Sequence, residues 1–143
     1  MIRNEWLLAV LAGAVLAMPY VVYARRSRHP RRLFAIGLPV AAAVYLIFAG
    51  SAGMVRDLLV ESIGVVLFAA IAWAGLRFSA WLLALGWVAH VGWDLLLHPI
   101  AGPSYAPWWY PVTCIGFDLV VAVAILTPPA SRGAGSSSRI RTR

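Results

Sequence analysis

Five long apolar runs take up most of this chain, and they constrain its fold more than any other feature. The length of each run is close to that of a helix crossing about 30 Å of hydrocarbon, which takes about 20 residues. Membrane β-strands would be shorter and alternating in character, and an isolated segment satisfies its backbone hydrogen bonds in lipid only as a helix. We therefore predict an all-α, polytopic membrane bundle of five transmembrane helices. The predicted helices cover residues 6–24, 33–50, 54–76, 78–98 and 108–127.

Arginine supplies all the positive charge, and its placement predicts the orientation of the bundle. The net charge is +7, and the chain contains no lysine. The arginines of the first loop, the third loop and the C-terminal region fall on one side of a five-helix weave. Because positively charged loops remain in the cytoplasm, we expect the N-terminus outside and the C-terminus inside.

The same basic residues bear on partners and location. Nucleic-acid binding is an alternative explanation of a basic cluster, but a topology signal that also contacts anionic lipid headgroups explains this pattern better. We expect membrane lipids as partners and no nucleic acid. The use of arginine without lysine favours a high-GC bacterium, and so we predict the bacterial inner membrane as the location.

Composition divides the chain into two parts. Residues 1–127 form the predicted transmembrane domain. Residues 128–143 begin with two prolines and are rich in Gly, Ser and Arg, with little apolar content, which predicts a disordered basic cytoplasmic tail. Within the first predicted helix, Ala9, Gly13 and Ala17 form a stripe of small residues. Such a stripe favours close packing inside the bundle, with a homo-oligomer interface as the alternative.

Ionisable residues within the apolar runs locate the candidate site. A carboxylate at bilayer depth costs roughly 2.5 to 3.5 kcal/mol unless it is paired, protonated or hydrated. Residues spaced by four lie on one face of a helix, and three predicted helices carry such polar faces. These faces consist of Asp57 and Glu61 in the third helix, His90, Asp94 and His98 in the fourth, and Tyr110, Cys114 and Asp118 in the fifth.

Counting the rise per residue inward from the outer helix ends gives the depth of each group. His98 and Tyr110 come out near the surface, whereas His90, Asp118 and Glu61 lie roughly 10 to 14 Å in. The inner halves of the same helices contain no ionisable residue. We therefore predict a blind polar cavity that opens to the outside.

Histidine mixed with carboxylates is typical of a site for zinc, iron or manganese. Our preferred ligand set is His90, Asp118 and Glu61, with Asp94 as a further ligand or as the partner that orients an imidazole. His98 is a candidate ligand too, although about 12 Å along the helix axis separates it from His90, too far for both to bind one ion. Asp94 and Glu61 are the predicted catalytic carboxylates. A metal-activated water could then support hydrolysis or, with iron, oxidation of a lipid-soluble substrate.

Structural roles compete with this interpretation. Asp57 and Glu61 can pair with Arg56, His98 can sit among the headgroups at a helix end, and Cys114 can be an ordinary packing residue. The remaining polar residues can hold helices in register through hydrogen bonds. The function then becomes that of a non-enzymatic membrane subunit or scaffold. A third alternative is a small proton-coupled transporter, which the apolar inner halves disfavour because a carrier needs access from both sides.

The stretch from His90 to Pro99, followed by Tyr110-Pro and Cys114-Ile-Gly-Phe-Asp118, resembles a family of small bacterial integral membrane proteins of unknown function. This resemblance covers the last two helices; it implies the fold type and the residues to suspect, but no chemistry. Ceramidase-like and adiponectin-receptor-like hydrolases are similar in placing histidines, an aspartate and a serine around intramembrane zinc, and Ser62 is the candidate serine here. Those proteins have seven helices and a His-x3-His pair, so the likeness is one of chemistry alone.

Overall fold

A computed structural model describes residues 2–98 and 104–127, and five helices account for most of this part of the chain. They are α1 (Ile2–Arg26), α2 (Pro30–Ser51), α3 (Val55–Arg77), α4 (Ala80–Leu97) and α5 (Trp109–Leu126). All five are long and apolar enough to cross a membrane. The predicted five-helix membrane bundle is thereby confirmed, whereas the predicted tail at 128–143 lies outside the described residues.

The helix ends differ from the predicted ones by a few residues, for local reasons. α2 begins at Pro30, three residues before the apolar run, because proline suits the first position of a helix and needs no hydrogen bond there. At the start of α4 the Ser79 hydroxyl accepts a hydrogen bond from the Trp81 backbone N–H, at 3.1 Å. This contact is a standard N-terminal cap.

The helices form an open ring in which α5 lies between α1 and α4, and α3 lies between α4 and α2. α1 and α2 are consecutive in sequence, yet they contact each other far less than α1 contacts α5. The bundle is therefore loosely closed between α1 and α2, a feature that positions a cavity described below.

The close pairing of α1 with α5 depends on two glycines. A methyl group added at Gly13 would overlap the Thr113 carbonyl oxygen, and one added at Gly116 would overlap the Val10 carbonyl oxygen. The two backbones thus touch directly, as small residues at membrane helix contacts allow. Ala17, one turn beyond Gly13, is fully buried. The predicted small-residue stripe therefore packs inside the bundle at these two positions.

Arginine side chains at one end of the bundle cap helix C-termini. Arg25 Nη2 donates to the carbonyl oxygens of Ala124, at 3.0 Å, and Thr127, at 3.2 Å, and Arg31 donates to the carbonyl oxygen of Gly75. These carbonyls lie in or directly after the last turns of α5 and α3, where helix carbonyls lack a backbone N–H from their own helix. The arginines used to predict the topology thus also join α1 to α5 and α2 to α3 at this end, which we call the arginine-rich end.

Apolar side chains fill both the interior and the outer surface. The core next to the arginine-rich end contains Leu38, Phe68, Leu83 and Val121, while many large apolar residues on the outside are more than half exposed. Such a surface suits contact with lipid. The buried ionisable side chains of the described residues lie instead in the other half of the bundle.

Candidate metal centre and lateral cavity

His90, Asp94 and Asp118 form a buried cluster between α4 and α5. His90 and Asp94 are one turn apart on α4, and Asp118 reaches them from α5. The Nδ1 atom of His90 lies 2.8 Å from Oδ2 of Asp118 and 3.7 Å from Oδ2 of Asp94. The three side chains are 0 to 1% exposed. Sequence spacing predicted the His90–Asp94 contact, and the packing of α5 against α4 adds Asp118.

Several polar atoms of this cluster lack a hydrogen-bond partner within the described part of the chain. They are Nε2 of His90, both carboxylate oxygens of Asp94 and Oδ1 of Asp118. An unpaired buried polar atom costs about 1–3 kcal/mol, and more when it is charged. The Tyr45 hydroxyl, which lies next to Asp94, also lacks a partner within this part of the chain. Several buried polar atoms thus gather without full pairing, as at a site that an ion or a water molecule completes.

The cluster has the dimensions of a metal site. One ligand atom from each residue can be chosen so that all three lie within 4.8 Å of one another. Donors about 2.1 Å from a zinc ion are at most about 4.2 Å apart, so small side-chain rotations would bring these atoms to ligand distance. Two ionised carboxylates and a neutral imidazole carry a charge of −2, which a divalent cation neutralises.

Glu61 belongs to a second cluster and not to this group of three. Its Oε1 accepts a hydrogen bond from the Tyr105 hydroxyl at 2.5 Å, and its Oε2 accepts one from Trp93 Nε1 at 3.2 Å. His98 Nε2 lies 3.3 Å from Oε1 of the same carboxylate. Burial and the neighbouring carboxylate raise the pKa of Tyr105, so that its hydroxyl keeps the proton it donates.

The preferred ligand set is therefore regrouped by the structure. Asp94, expected as a ligand or an orienting partner, takes the place beside His90 and Asp118 that we expected for Glu61. The count of residues along each helix placed Glu61 at the same depth as His90. That count assumed that the helices run perpendicular to the membrane and that their outer ends lie at one depth. The Glu61 side chain instead meets His98, which was predicted near the surface. His90 and His98 lie in different clusters, as predicted from their separation of about 12 Å along the helix axis.

Tyr45 of α2 joins the two clusters. Its ring stacks on His98 with centroids 4.0 Å apart and planes 2° apart, and its centroid is 6.4 Å from that of His90. The ring of Tyr110 packs edge-on against it at 5.3 Å. Sequence analysis missed Tyr45 because a single tyrosine in an apolar run has no spacing partner; the signal available was a hydroxyl at bilayer depth.

These rings close the cluster from the loop end of the bundle, which carries residues 104–108. His98 is 1% exposed at the end of α4, so its ring packs against protein groups and does not face the headgroups directly. The expected cavity open to the outside is therefore wrong for this site. Tyr45 and Tyr110 lie on this side of the cluster, and Tyr105 of the 104–108 segment packs against His98.

Other candidate residues lie away from the cluster. Arg56 forms no ion pair within 4.0 Å with Asp57 or Glu61, as judged over the described residues. Ser62 donates to the carbonyl oxygen of Leu58 in its own helix, at 2.7 Å, and it lines an apolar groove on α3 together with the exposed Ile63. Cys114 is a buried free thiol one turn before Asp118.

A cavity of about 360 Å³ reaches this site from the side of the bundle. Its back wall contains Trp87 and Phe117, and Asp118 and Cys114 line it as well. Its outer walls include Leu16 of α1 and Val40 of α2. The cavity occupies the gap where the ring of helices is loosely closed.

Comparisons with known proteins place the chain in a family. The model of a family of unknown function, DUF6010, matches residues 4–131. The chain belongs to this family. Neither the curated proteins nor the solved structures include a match. The resemblance seen in the last two helices thus extends over almost the whole chain.

Proposed function

We propose that this multi-pass membrane protein binds one divalent metal ion, zinc, iron or manganese, through His90, Asp94 and Asp118. The observation that carries the proposal is the convergence of three buried ligand atoms within 4.8 Å, together with the unpaired oxygens of Asp94. A buried pair of carboxylates without a compensating cation would be expensive. A dication supplies that compensation.

We further propose an enzymatic role in the bacterial inner membrane, with a lipid-soluble substrate. Three protein ligands leave a coordination position for water, and a bound metal ion would supply Lewis acidity and lower the pKa of that water. Asp94 would act as a ligand or as the base that accepts a proton from the reacting group. Glu61, the other predicted catalytic carboxylate, would act from the second cluster, where Tyr105 and Trp93 fix the orientation of its carboxylate.

The apolar inner half of the bundle supports an enzyme over a proton-coupled transporter. Among the described residues, the buried ionisable groups are confined to the half that contains Glu61 and His98. Next to the arginine-rich end the core consists of apolar side chains such as Leu83, Ala84 and Val121. A carrier would need polar or hydrated access through that layer.

Metal content of the purified protein tests the proposal. Cells are grown with zinc, iron and manganese, and protein extracted in mild detergent is analysed by mass spectrometry of the elements. We expect about one equivalent of one metal per chain, and at least a tenfold loss in His90→Ala and Asp118→Asn. His29→Ala is the matched control, because this histidine is exposed in the turn before α2.

His98→Gln distinguishes the two possible ligand groups. It should retain the metal if the His90 cluster is the site, whereas loss of the metal in this variant alone would move the site to His98 and Glu61. Protein without bound metal after supplemented growth, or equal metal content in His90→Ala and His29→Ala, would contradict the proposal. In that case the cluster is a structural contact between α4 and α5.

A further inference from the structure

We propose that the lateral cavity binds a lipid-soluble alcohol, whose single apolar chain or ring system lies between α1 and α2 and whose hydroxyl donates a hydrogen bond to Asp118. The inference deepens the proposed function, since Asp118 belongs to both the cavity and the candidate metal centre. It names the class of substrate and the route by which that substrate reaches the centre.

The entrance of the cavity lies at the middle of the bilayer. Leu16 and Val40 are near the midpoints of α1 and α2, and their side chains are 59% and 58% exposed on the outer surface. Because these helices span the membrane, exposed apolar side chains at this level contact hydrocarbon and not water. A ligand therefore enters from the acyl-chain region, so it must be soluble in lipid.

The interior fits a single apolar body. Its volume of about 360 Å³ falls within the range of small-molecule pockets, about 300–1,000 Å³. Aromatic rings form the back wall: Phe117 stacks on Tyr20 with centroids 5.6 Å apart and lies 6.1 Å from Trp87. Gly37 forms part of the opposite wall, where the structure leaves no room for a side chain because a Cβ atom would overlap the Tyr20 hydroxyl.

The polar end of the cavity determines the end group of the ligand. Asp118 lines the cavity yet is 1% exposed, and its Oδ2 faces His90. Its Oδ1 is buried just behind the cavity wall and has no partner among the described residues, so a small rotation of the side chain would bring this oxygen to a ligand. A carboxylate oxygen accepts hydrogen bonds, so a ligand that satisfies it must carry a donor. A neutral hydroxyl meets this need without bringing a second charge into the membrane. It also places the ligand next to the proposed metal position.

Photolabelling in proteoliposomes tests the site. The probe is a long-chain alcohol that carries a diazirine group in its alkyl chain, and the labelled peptides are identified by mass spectrometry. We expect adducts on the α5 peptide that contains Cys114 and Phe117. Ala41→Trp, which fills the cavity, should lower this labelling at least fivefold. Ile63→Trp places the same side chain at an exposed position on α3 and should leave the labelling of the α5 peptide unchanged.

Two further arms keep the outcome interpretable. Leu16→Trp narrows the entrance from an exposed position and should lower labelling without disturbing helix packing. The methyl ether of the same probe cannot donate a hydrogen bond and should label the cavity several-fold less than the alcohol. Equal labelling by alcohol and ether, or labelling that neither tryptophan variant at the cavity reduces, would overturn the inference.

The same experiment separates this inference from the metal proposal. Labelling is measured before and after treatment with a chelator, and the cavity should be labelled in both cases because Asp118 is its one lining residue among the proposed metal ligands. Protein that lacks metal and still shows cavity-specific labelling would support the ligand site while removing the metal centre. Protein that contains metal and labels only its lipid-facing surface would do the reverse.

Discussion

Replacing His90 with leucine should destabilise the metal-free protein by about 3–4 kcal/mol, and the structure sets this magnitude. Without a metal, a protonated His90 imidazole between the two carboxylates compensates their charge. The substitution removes it and leaves Asp94 and Asp118 facing each other in a buried site without a donor between them. Their closest oxygens lie within 4.8 Å. Two negative charges at that distance repel by about 3.5 kcal/mol at an effective dielectric constant of 20.

Protonation of one carboxylate limits the penalty. An aspartic acid in water has a pKa of about 3.9, so protonating one at pH 7 costs about 4 kcal/mol. The expected loss of stability is well above the contribution of an average hydrogen bond between membrane helices, which is about 0.6 kcal/mol. A neutral packing contact and a charge-compensating histidine therefore give clearly different results.

A second substitution makes the prediction sharper. Asp118→Asn removes one of the two charges, so in the His90→Leu background it should stabilise the protein, whereas in the parent protein it should destabilise it. The free energy of unfolding is measured by reversible unfolding in mixed micelles of mild detergent and dodecyl sulfate, followed by tryptophan emission, with chelator present. His29→Leu is the control.

Two results would refute this reasoning. One is a loss below about 0.6 kcal/mol for His90→Leu, which would match an ordinary interhelical hydrogen bond. The other is a double variant that is no more stable than His90→Leu, because then repulsion between the carboxylates is not the cause of the loss.

Three further predictions concern the frame around the site. Gly116→Leu should force α1 away from α5 and lower the free energy of unfolding by about 1–3 kcal/mol in the same assay. Gly92→Ala adds a methyl group that meets no atom within 4 Å and should not destabilise the protein. Equal losses in the two variants would show that α1 and α5 are not held in close contact at Gly116. Tyr105→Phe should raise hydrogen exchange in residues 104–108 at least fivefold, because it removes the donor to Glu61; unchanged exchange would show that this hydrogen bond does not hold the segment. Arg25→Gln should cost about 0.3–1 kcal/mol and speed exchange in the last turn of α5, as the exposed Arg28→Gln should not.

Sequence alone determined the elements of this protein. The number of helices and their approximate ends follow from runs of apolar residues, because the length of a span is fixed by the thickness of the bilayer. The contact between His90 and Asp94 was also predictable, since residues four apart meet on one helix face. Gly13 indicated close packing because a small residue allows two backbones to touch.

The tertiary structure decided which of these faces meet. Each residue advances about 100° around its helix axis, so depth in the membrane does not fix the direction in which a side chain points. The rotation of α3, together with Tyr105 from the loop, assigned Glu61 to His98. The pairing of α1 with α5 left the gap beside α2 that forms the lateral cavity. These contacts join residues far apart in the chain, and no local pattern encodes them.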